Sequence, residues 1–219
     1  MTALYEREKT GKGRVVEVSM QESVYASLSS NLGMYFGSGG QVPPRTGNRH
    51  GGLAESPYNV YPTRDGHIAI ICNNNRHFHA LTKAMGREDL NEEPRFQDLK
   101  SRVAHIDIVD EIVGAWTVDY TREELVKLFL EHRVPHAPVR NLNEVINDPN
   151  MHARGSLQWI DHPEFGRIVV QHSPMRFDGV GLVPIRPSSR LSEQTDEILR
   201  DFLGYDSGDI EELKAQKVV

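Results

Sequence analysis

The sequence has few of the features that mark secreted, membrane-bound or nucleic-acid-binding proteins. A single cysteine, Cys72, excludes an internal disulfide and a thiolate metal cluster and suits a reducing compartment. No apolar run reaches the roughly 18 residues of a membrane span. The formal net charge of −6 argues against a broad basic surface for nucleic acid. The charged start MTALYEREKTGKG has no signal-peptide core. These absences predict a cytoplasmic protein without membrane or nucleic-acid partners.

The composition is that of an ordinary globular protein. The chain has 219 residues, of which 38% are hydrophobic and 26% are charged. That length is sufficient to bury a core in one domain or in two small ones. Walker and dinucleotide-binding glycine motifs are missing, so common nucleotide-binding classes are not indicated.

The first third of the chain combines a strand pattern, a helix pattern and a hairpin. Residues 13–20 alternate apolar and polar side chains, which predicts a strand, and residues 21–40 read as a helix that ends in glycines. Residues 37–46 contain three glycines and two prolines, so we expect a linker and a domain boundary there. YNVYPT and HIAIIC bracket the turn Arg64, Asp65 and Gly66, which predicts a β-hairpin.

The rest of the chain alternates short helices and strands. Apolar spacing predicts amphipathic helices over residues 77–85 and 106–116. Thr121 and Glu124 form a capping box that begins another helix, and VPHAPV fits only an edge strand. Further expectations are Asn143 and Asp148 as helix caps, a hairpin from Gln158 to Phe177 turning at Pro163 to Gly166, and a helical tail from Leu191 to Gly204.

The segment from Arg45 to Ile70 is the most informative part of the chain. Gly51 and Gly52 lack a Cβ atom, so the backbone there can approach a ligand closely. Arg45, Arg49 and His50 could face an anion. Alone this is a weak signal, because most glycine pairs lie in solvent turns.

Six stretches, in order and at characteristic spacing, give the chain a family resemblance. They are residues 7–24 (REKTGKGRVVEVSMQESV), 47–52 (GNRHGG), 56–70 (SPYNVYPTRDGHIAI), 74–89 (NNRHFHALTKAMGRED), 133–155 (RVPHAPVRNLNEVINDPNMHARG) and 191–205 (LSEQTDEILRDFLGY). The chain resembles the class III coenzyme A transferases, the formyl-CoA transferase and carnitine-CoA transferase group of CaiB/BaiF type. One departure is Ser192, where the family usually has glycine before the glutamate.

The resemblance implies an α/β fold of which only the C-terminal half is present. Residues 1–44 would be a segment of the large domain and a linker, 45–178 a small α+β domain with the glycine loop, and 179–219 a helical segment returning to the large domain. In the family such flanking segments complete a Rossmann-like domain, and subunits form interlocked dimers. We therefore expect a homodimer or a missing N-terminal half as partner, an exposed apolar surface near residues 19–36, and self-association.

The resemblance also implies a reaction, the movement of coenzyme A between an acyl-CoA and a carboxylic acid. Coenzyme A would be present as the substrate thioester, without a metal. The family's catalytic aspartate belongs to the absent half, so no catalytic residue is assigned. The loop that covers the reacting acyl group gives the expected cofactor-binding residues, which are Asn48, Arg49, His50, Gly51, Gly52 and Leu53.

Two alternatives stay open. The chain could be a non-catalytic product of truncation or gene splitting that contributes dimerisation and glycine-loop contacts. An acyl-CoA racemase is a weaker alternative, because our alignment places Asn75 where racemases have a glutamate base.

Other chemically interesting residues are given structural roles. Glu55 is the carboxylate nearest to the loop, and we interpret it as a solvated loop residue, while the Gly51 and Gly52 N–H groups are possible oxyanion donors. His77 and His79 would face different directions on a helix without a suitably spaced acidic ligand, so no metal site is predicted.

Overall fold

A computed structural model describes residues 1–43 and 45–219 and divides the chain into two compact units. The first unit is Met1–Val139 and the second is Arg140–Val219. The predicted boundary at residue 44 falls on the residue outside the described ones, and the three-part division of the sequence stays a prediction.

The first unit begins with helices that bury none of their side chains. They are α1 (Thr2–Thr10), α2 (Met20–Tyr25), a 3-10 turn (Ala26–Leu28) and α3 (Ser29–Gly37). The helix predicted over residues 21–40 is therefore confirmed, with a 3-10 interruption. The strand predicted over residues 13–20 is wrong, because residues 11–19 have no regular structure. Val15, Val16 and Val18 are exposed, and no strand of the described residues pairs with them. Without a neighbouring strand, the alternating segment cannot form the backbone hydrogen bonds of a sheet.

The apolar surface expected near residues 19–36 is confirmed. Met20, Val24, Tyr25 and Phe36 are each at least 59% exposed. Exposed apolar residues on neighbouring helices form a surface that is typical of an interaction site.

An antiparallel sheet forms the centre of the first unit. Its strands are β1 (Tyr58–Thr63), β2 (Gly66–Ile71) and β3 (His136–Pro138), in the order β1-β2-β3. The β1–β2 hairpin and the edge position of VPHAPV are confirmed. Asp65 accepts a hydrogen bond from the Thr63 hydroxyl at 3.1 Å and from the Arg122 N–H at 2.8 Å, so it fixes the turn as predicted.

Four helices follow the β1–β2 hairpin, and apolar side chains from three of them pack with the sheet in the core. They are α4 (Asn75–Ala84), α5 (Leu99–Ala104), α6 (Ile106–Thr117) and α7 (Arg122–His132), with a 3-10 turn at Glu88–Asn91. Both amphipathic helices and the Thr121 capping box are confirmed. The buried core contains Ile68 and Ile70 from the sheet and Phe78, Val113 and Phe129 from the helices.

The second unit contains four short helices and a second hairpin. Its elements are α8 (Leu142–Ile146), α9 (Pro149–Ala153), β4 (Leu157–His162), β5 (Gly166–Gln171), α10 (Thr195–Asp201) and α11 (Ser207–Ala215). The predicted hairpin is confirmed and ends at Gln171, and α11 is an element that the sequence analysis missed. Asp148 caps α9 as expected, but Asn143 lies inside α8 and Asn141 is the cap, because Asn141 forms a capping box with Glu144.

The fold is thus mixed α+β with small antiparallel sheets, as expected for the glycine-loop domain. Among the described residues, none of the helices has both the length and the apolar character needed to cross a membrane.

Candidate functional site

The glycine loop consists of two consecutive tight turns before β1. The Arg49 N–H donates to the Thr46 carbonyl at 3.2 Å, and the Leu53 N–H donates to the His50 carbonyl at 2.9 Å. The Ala54 N–H donates to His50 Nδ1 at 3.3 Å. Leu53 has φ 44°, a left-handed conformation that is uncommon outside glycine and asparagine. The loop therefore has a defined conformation rather than the character of an open linker.

Both central glycines pack closely against α3, and at Gly52 the neighbour is backbone. The Asn31 amide donates to the Gly51 carbonyl at 3.0 Å. A Cβ atom added to Gly51 would lie 2.6 Å from Asn31 Oδ1, and one added to Gly52 would lie 2.9 Å from the Ser30 carbonyl oxygen. Neither glycine has a positive φ, so space and not backbone conformation explains Gly52, whereas at Gly51 the Asn31 side chain could move aside.

The backbone N–H groups of the two glycines take no part in the hydrogen bonds that fix the loop among the described residues. Within residues 1–43 and 45–219, neither the Gly51 nor the Gly52 N–H donates a hydrogen bond to another residue. Fixed and unused backbone donors of this kind can stabilise an oxyanion.

Arg49 joins the start of the loop to the N-terminal half of α6. Its Nη2 lies 2.7 Å from Asp107 Oδ1, and its Nε lies 2.6 Å from Asp110 Oδ2. Partial burial would lower the pKa of the Arg49 guanidinium, but its bonds to Asp107 and Asp110 outweigh that effect and raise it. Arg49 was expected to contact the cofactor, and in this structure its guanidinium contacts two carboxylates.

Asp110 connects this ion pair to β1. Its carboxylate accepts a hydrogen bond from the Tyr61 hydroxyl at 2.5 Å and from the Asn59 amide at 3.0 Å. Burial, with the nearby negative charge of Asp110, raises the pKa of Tyr61 well above its ordinary value, so the phenol stays protonated and donates. The loop, the first strand and helix α6 therefore meet at one carboxylate.

An apolar groove lies beside the loop, on the sheet face opposite to the core. It has a volume of about 520 Å³, which is within the range of small-molecule sites. Side chains that alternate with the core residues form its floor, namely Tyr58, Val60, Ala69, Ile71 and Ala137. Asn48 lines the groove at the loop side. One expected cofactor-binding residue thus borders a cavity large enough for part of a ligand.

The other expected residues have separate environments. The His50 ring packs edge-on against the Tyr58 ring, with centroids 5.4 Å apart. Glu55 differs from its expected solvated state, since its Oε2 is buried without a hydrogen-bond partner among the described residues. The reason is that the chain enters the core at the next two residues, Ser56 and Pro57, which are fully buried.

Sequence reasoning missed the residues that hold the loop. Asn31, Asp107 and Asp110 carry no local motif, and their relation to residues 49–51 appears only in the folded chain. An acidic residue in the first turn of α6, such as Asp107, is also what favourable interaction with a helix N-terminus would produce, so its position did not mark it as a loop contact.

The fold and the site define an α+β module with a glycine loop beside an apolar groove. The sequence profile of CoA-transferase family III matches residues 1–194, and the chain belongs to this family.

The curated relatives that this chain resembles are CoA-transferases. It is 31% identical over 220 residues to succinyl-CoA–D-citramalate CoA-transferase from Chloroflexus aurantiacus, covering 100% of this chain and 54% of the relative. It is 33% identical over 209 residues to succinyl-CoA:mesaconate CoA-transferase from Haloarcula marismortui, covering 95% and 51%. Among solved structures, a CaiB/BaiF family protein from Brucella suis has a TM-score of 0.72 at 28% identity, covering 91% of this chain and 51% of that one. The chain spans about half the length of the relatives it matches.

Proposed function

We propose that this chain acts as the C-terminal half of a class III CoA-transferase, whose whole assembly moves CoA from an acyl-CoA to a carboxylic acid. The relatives are named for succinyl-CoA with D-citramalate or mesaconate, which supports a succinyl-CoA donor and a dicarboxylic acceptor. A cytoplasmic location and a dimer belong to the same proposal. The observation that supports it is the loop whose Gly51 and Gly52 N–H groups have no hydrogen-bond acceptor among the described residues, as oxyanion donors would before a ligand binds.

The chemistry divides between this chain and the other half. A carboxylate of the other half would attack the acyl carbon of the thioester, forming a mixed anhydride as the CoA thiolate leaves. The thiolate would then attack the anhydride carbonyl on the enzyme side, which releases the acid and leaves CoA as an enzyme thioester. An acceptor carboxylate would reverse the sequence. Each attack places negative charge on a carbonyl oxygen, and the Gly51 and Gly52 N–H groups would donate to it.

Loop residues have distinct roles in this proposal. Asn48, which lines the groove, would contact the bound thioester directly. His50 and Leu53 would shape the loop around it, since His50 accepts from the Ala54 N–H and packs on Tyr58. Arg49 would hold the loop in place through its ion pairs with Asp107 and Asp110 on α6.

Isothermal titration of the purified chain with coenzyme A and acetyl-CoA tests the binding part. We expect micromolar affinity, reduced at least tenfold by Asn48→Ala. Arg64→Ala, in the exposed hairpin turn, is the matched control and should leave affinity unchanged. Absence of binding would assign the pocket to the other half.

Reconstitution tests the reaction. If a coding region for the N-terminal half lies upstream, the two halves expressed together should exchange CoA between succinyl-CoA and a dicarboxylic acid. A folded complex without exchange on any carboxylic acid would refute the transferase function.

The exposed apolar helices favour one alternative function. Met20, Val24 and Phe36 suit a module that contributes mainly an interface, either in a split protein or in an inactive product. Failure of both tests above, combined with stable association with a partner chain, would favour that alternative.

A further inference from the structure

Arg102 on α5 is a fully buried arginine that binds carbonyl groups. Its Nε donates to the Ser56 carbonyl at 3.0 Å, and its Nη1 donates to the Phe96 carbonyl at 2.9 Å and to Asn75 Oδ1 at 3.1 Å. The guanidinium lies 4.4 Å from the centre of the Phe78 ring. Among the described residues, no carboxylate forms an ion pair with it.

A buried charge of this kind is costly. Burial lowers the pKa of the Arg102 guanidinium from its ordinary value, although arginine still carries its charge at neutral pH. An apolar side chain of similar volume would fill the same space without this cost. The advantage of arginine is its planar fork of donors, which fixes several acceptors in one geometry.

The acceptor at Ser56 marks the end of the glycine loop. Ser56 follows Leu53 by three residues and precedes β1, which begins at Tyr58. The start of the loop is fixed by Arg49, which is bound to Asp107 and Asp110 on α6. Helices α5 and α6 are consecutive and meet at His105, so one helix pair holds both ends of the loop.

We propose that Arg102 is a positioning residue that fixes the C-terminal end of the glycine loop through the Ser56 carbonyl. Its purpose, to hold the Gly51 and Gly52 donors toward an acyl-CoA, rests on the proposed function, whereas the contact itself does not. Arg102 touches neither substrate nor reacting atoms in this role.

Hydrogen exchange of the loop in the intact chain tests the proposal. The Arg49, Leu53 and Ala54 amides are hydrogen-bonded within the loop and report its conformation. In Arg102→Met we expect these amides to exchange at least tenfold faster, while amides of α7 change less than twofold. Arg102→Lys keeps one charged donor and should restore part of the protection.

The control is Lys100→Met, an exposed change on the same helix, which should leave loop exchange unaltered. A purely structural role would accelerate loop and α7 amides by the same factor, and that result would overturn the proposal. Unchanged loop exchange would overturn it as well. If Arg102→Met does not fold, the comparison is made with Arg102→Lys, whose loop amides should exchange at least threefold faster than those of the wild type.

These outcomes are separable from those of the proposed function. Absent CoA binding in calorimetry would remove the acyl-CoA role and leave the exchange result standing. Normal CoA binding combined with unchanged loop exchange in the Arg102 variants would remove only the positioning role.

Discussion

Asp110→Asn is the sharpest test of how the loop is held. The substitution preserves the shape of the side chain, removes its charge and replaces one acceptor oxygen with an NH2 group. Asp110 accepts from Arg49, Tyr61 and Asn59, and its side chain is only 11% exposed. At least one of the three donors therefore loses its acceptor.

The expected cost follows from burial. Hydrogen bonds to charged groups contribute about 1.5–3 kcal/mol each. Since Arg49 keeps Asp107 and its side chain is 27% exposed, we expect a total loss of about 2–3 kcal/mol rather than a larger sum. For a chain of this size that lowers Tm by roughly 4–12 °C.

Asp107→Asn is the matched control. The Asp107 carboxylate binds the same guanidinium, but its side chain is 87% exposed, so removing its charge should cost no more than about 0.5 kcal/mol. Urea unfolding is followed by the fluorescence of Trp116 on α6, with Trp159→Phe as the common background so that the signal comes from the first unit. Equal losses in the two variants, or a loss below about 0.5 kcal/mol in Asp110→Asn, would refute the reasoning.

Three further predictions concern the thiol, the loop and the apolar surface. Burial raises the pKa of the Cys72 thiol from 9.0 to about 12, so its contribution to stability is complete below pH 9 and is lost toward pH 12. Urea midpoints at pH about 8 and about 10.5 should differ less in Cys72→Ala than in the wild type, and an equal difference would contradict this. Gly52→Ala should accelerate loop amide exchange, because its Cβ meets a backbone oxygen, whereas Gly33→Ala has open space and should not; matching exchange in the two would count against the packing argument. Phe36→Glu should weaken self-association measured by light scattering, and a monomeric wild type at micromolar concentration would exclude the association itself.

Local patterns predicted those elements whose determinants are close in sequence. The Thr121 capping box and the β1–β2 turn depend on residues within four positions of one another, so the sequence was sufficient for both. The wrong helix cap at Asn143 could also have been avoided from local sequence. A capping box has a glutamate three residues after the cap, and Glu144 therefore selects Asn141. The strand expected over residues 13–20 failed because a strand needs a partner, and alternation alone supplies none.

The sequence led us to propose the loop as the candidate site, but it did not indicate which residues hold the loop in place. The loop was found from its glycines and from the family resemblance, both of which are sequence features. Its anchors are separated from it by 20 residues at Asn31, 46 at Arg102 and 61 at Asp110. Contacts across such separations have no periodicity to reveal them in a single sequence.

The residues that hold the loop show that its conformation does not depend on another chain. The loop and its anchoring residues Asn31, Arg102 and Asp110 all lie in the first unit, so the loop conformation is set within that unit. A thioester bound mainly by another half would then meet donors that are already ordered, which lowers the entropic cost of binding. The apolar residues of α2 and α3, in contrast, are exposed and not held by such contacts. Substitutions of Asn31, Arg102 or Asp110 should therefore change the loop conformation of the isolated chain. Substitutions of Phe36 should change only the association of the chain with other chains.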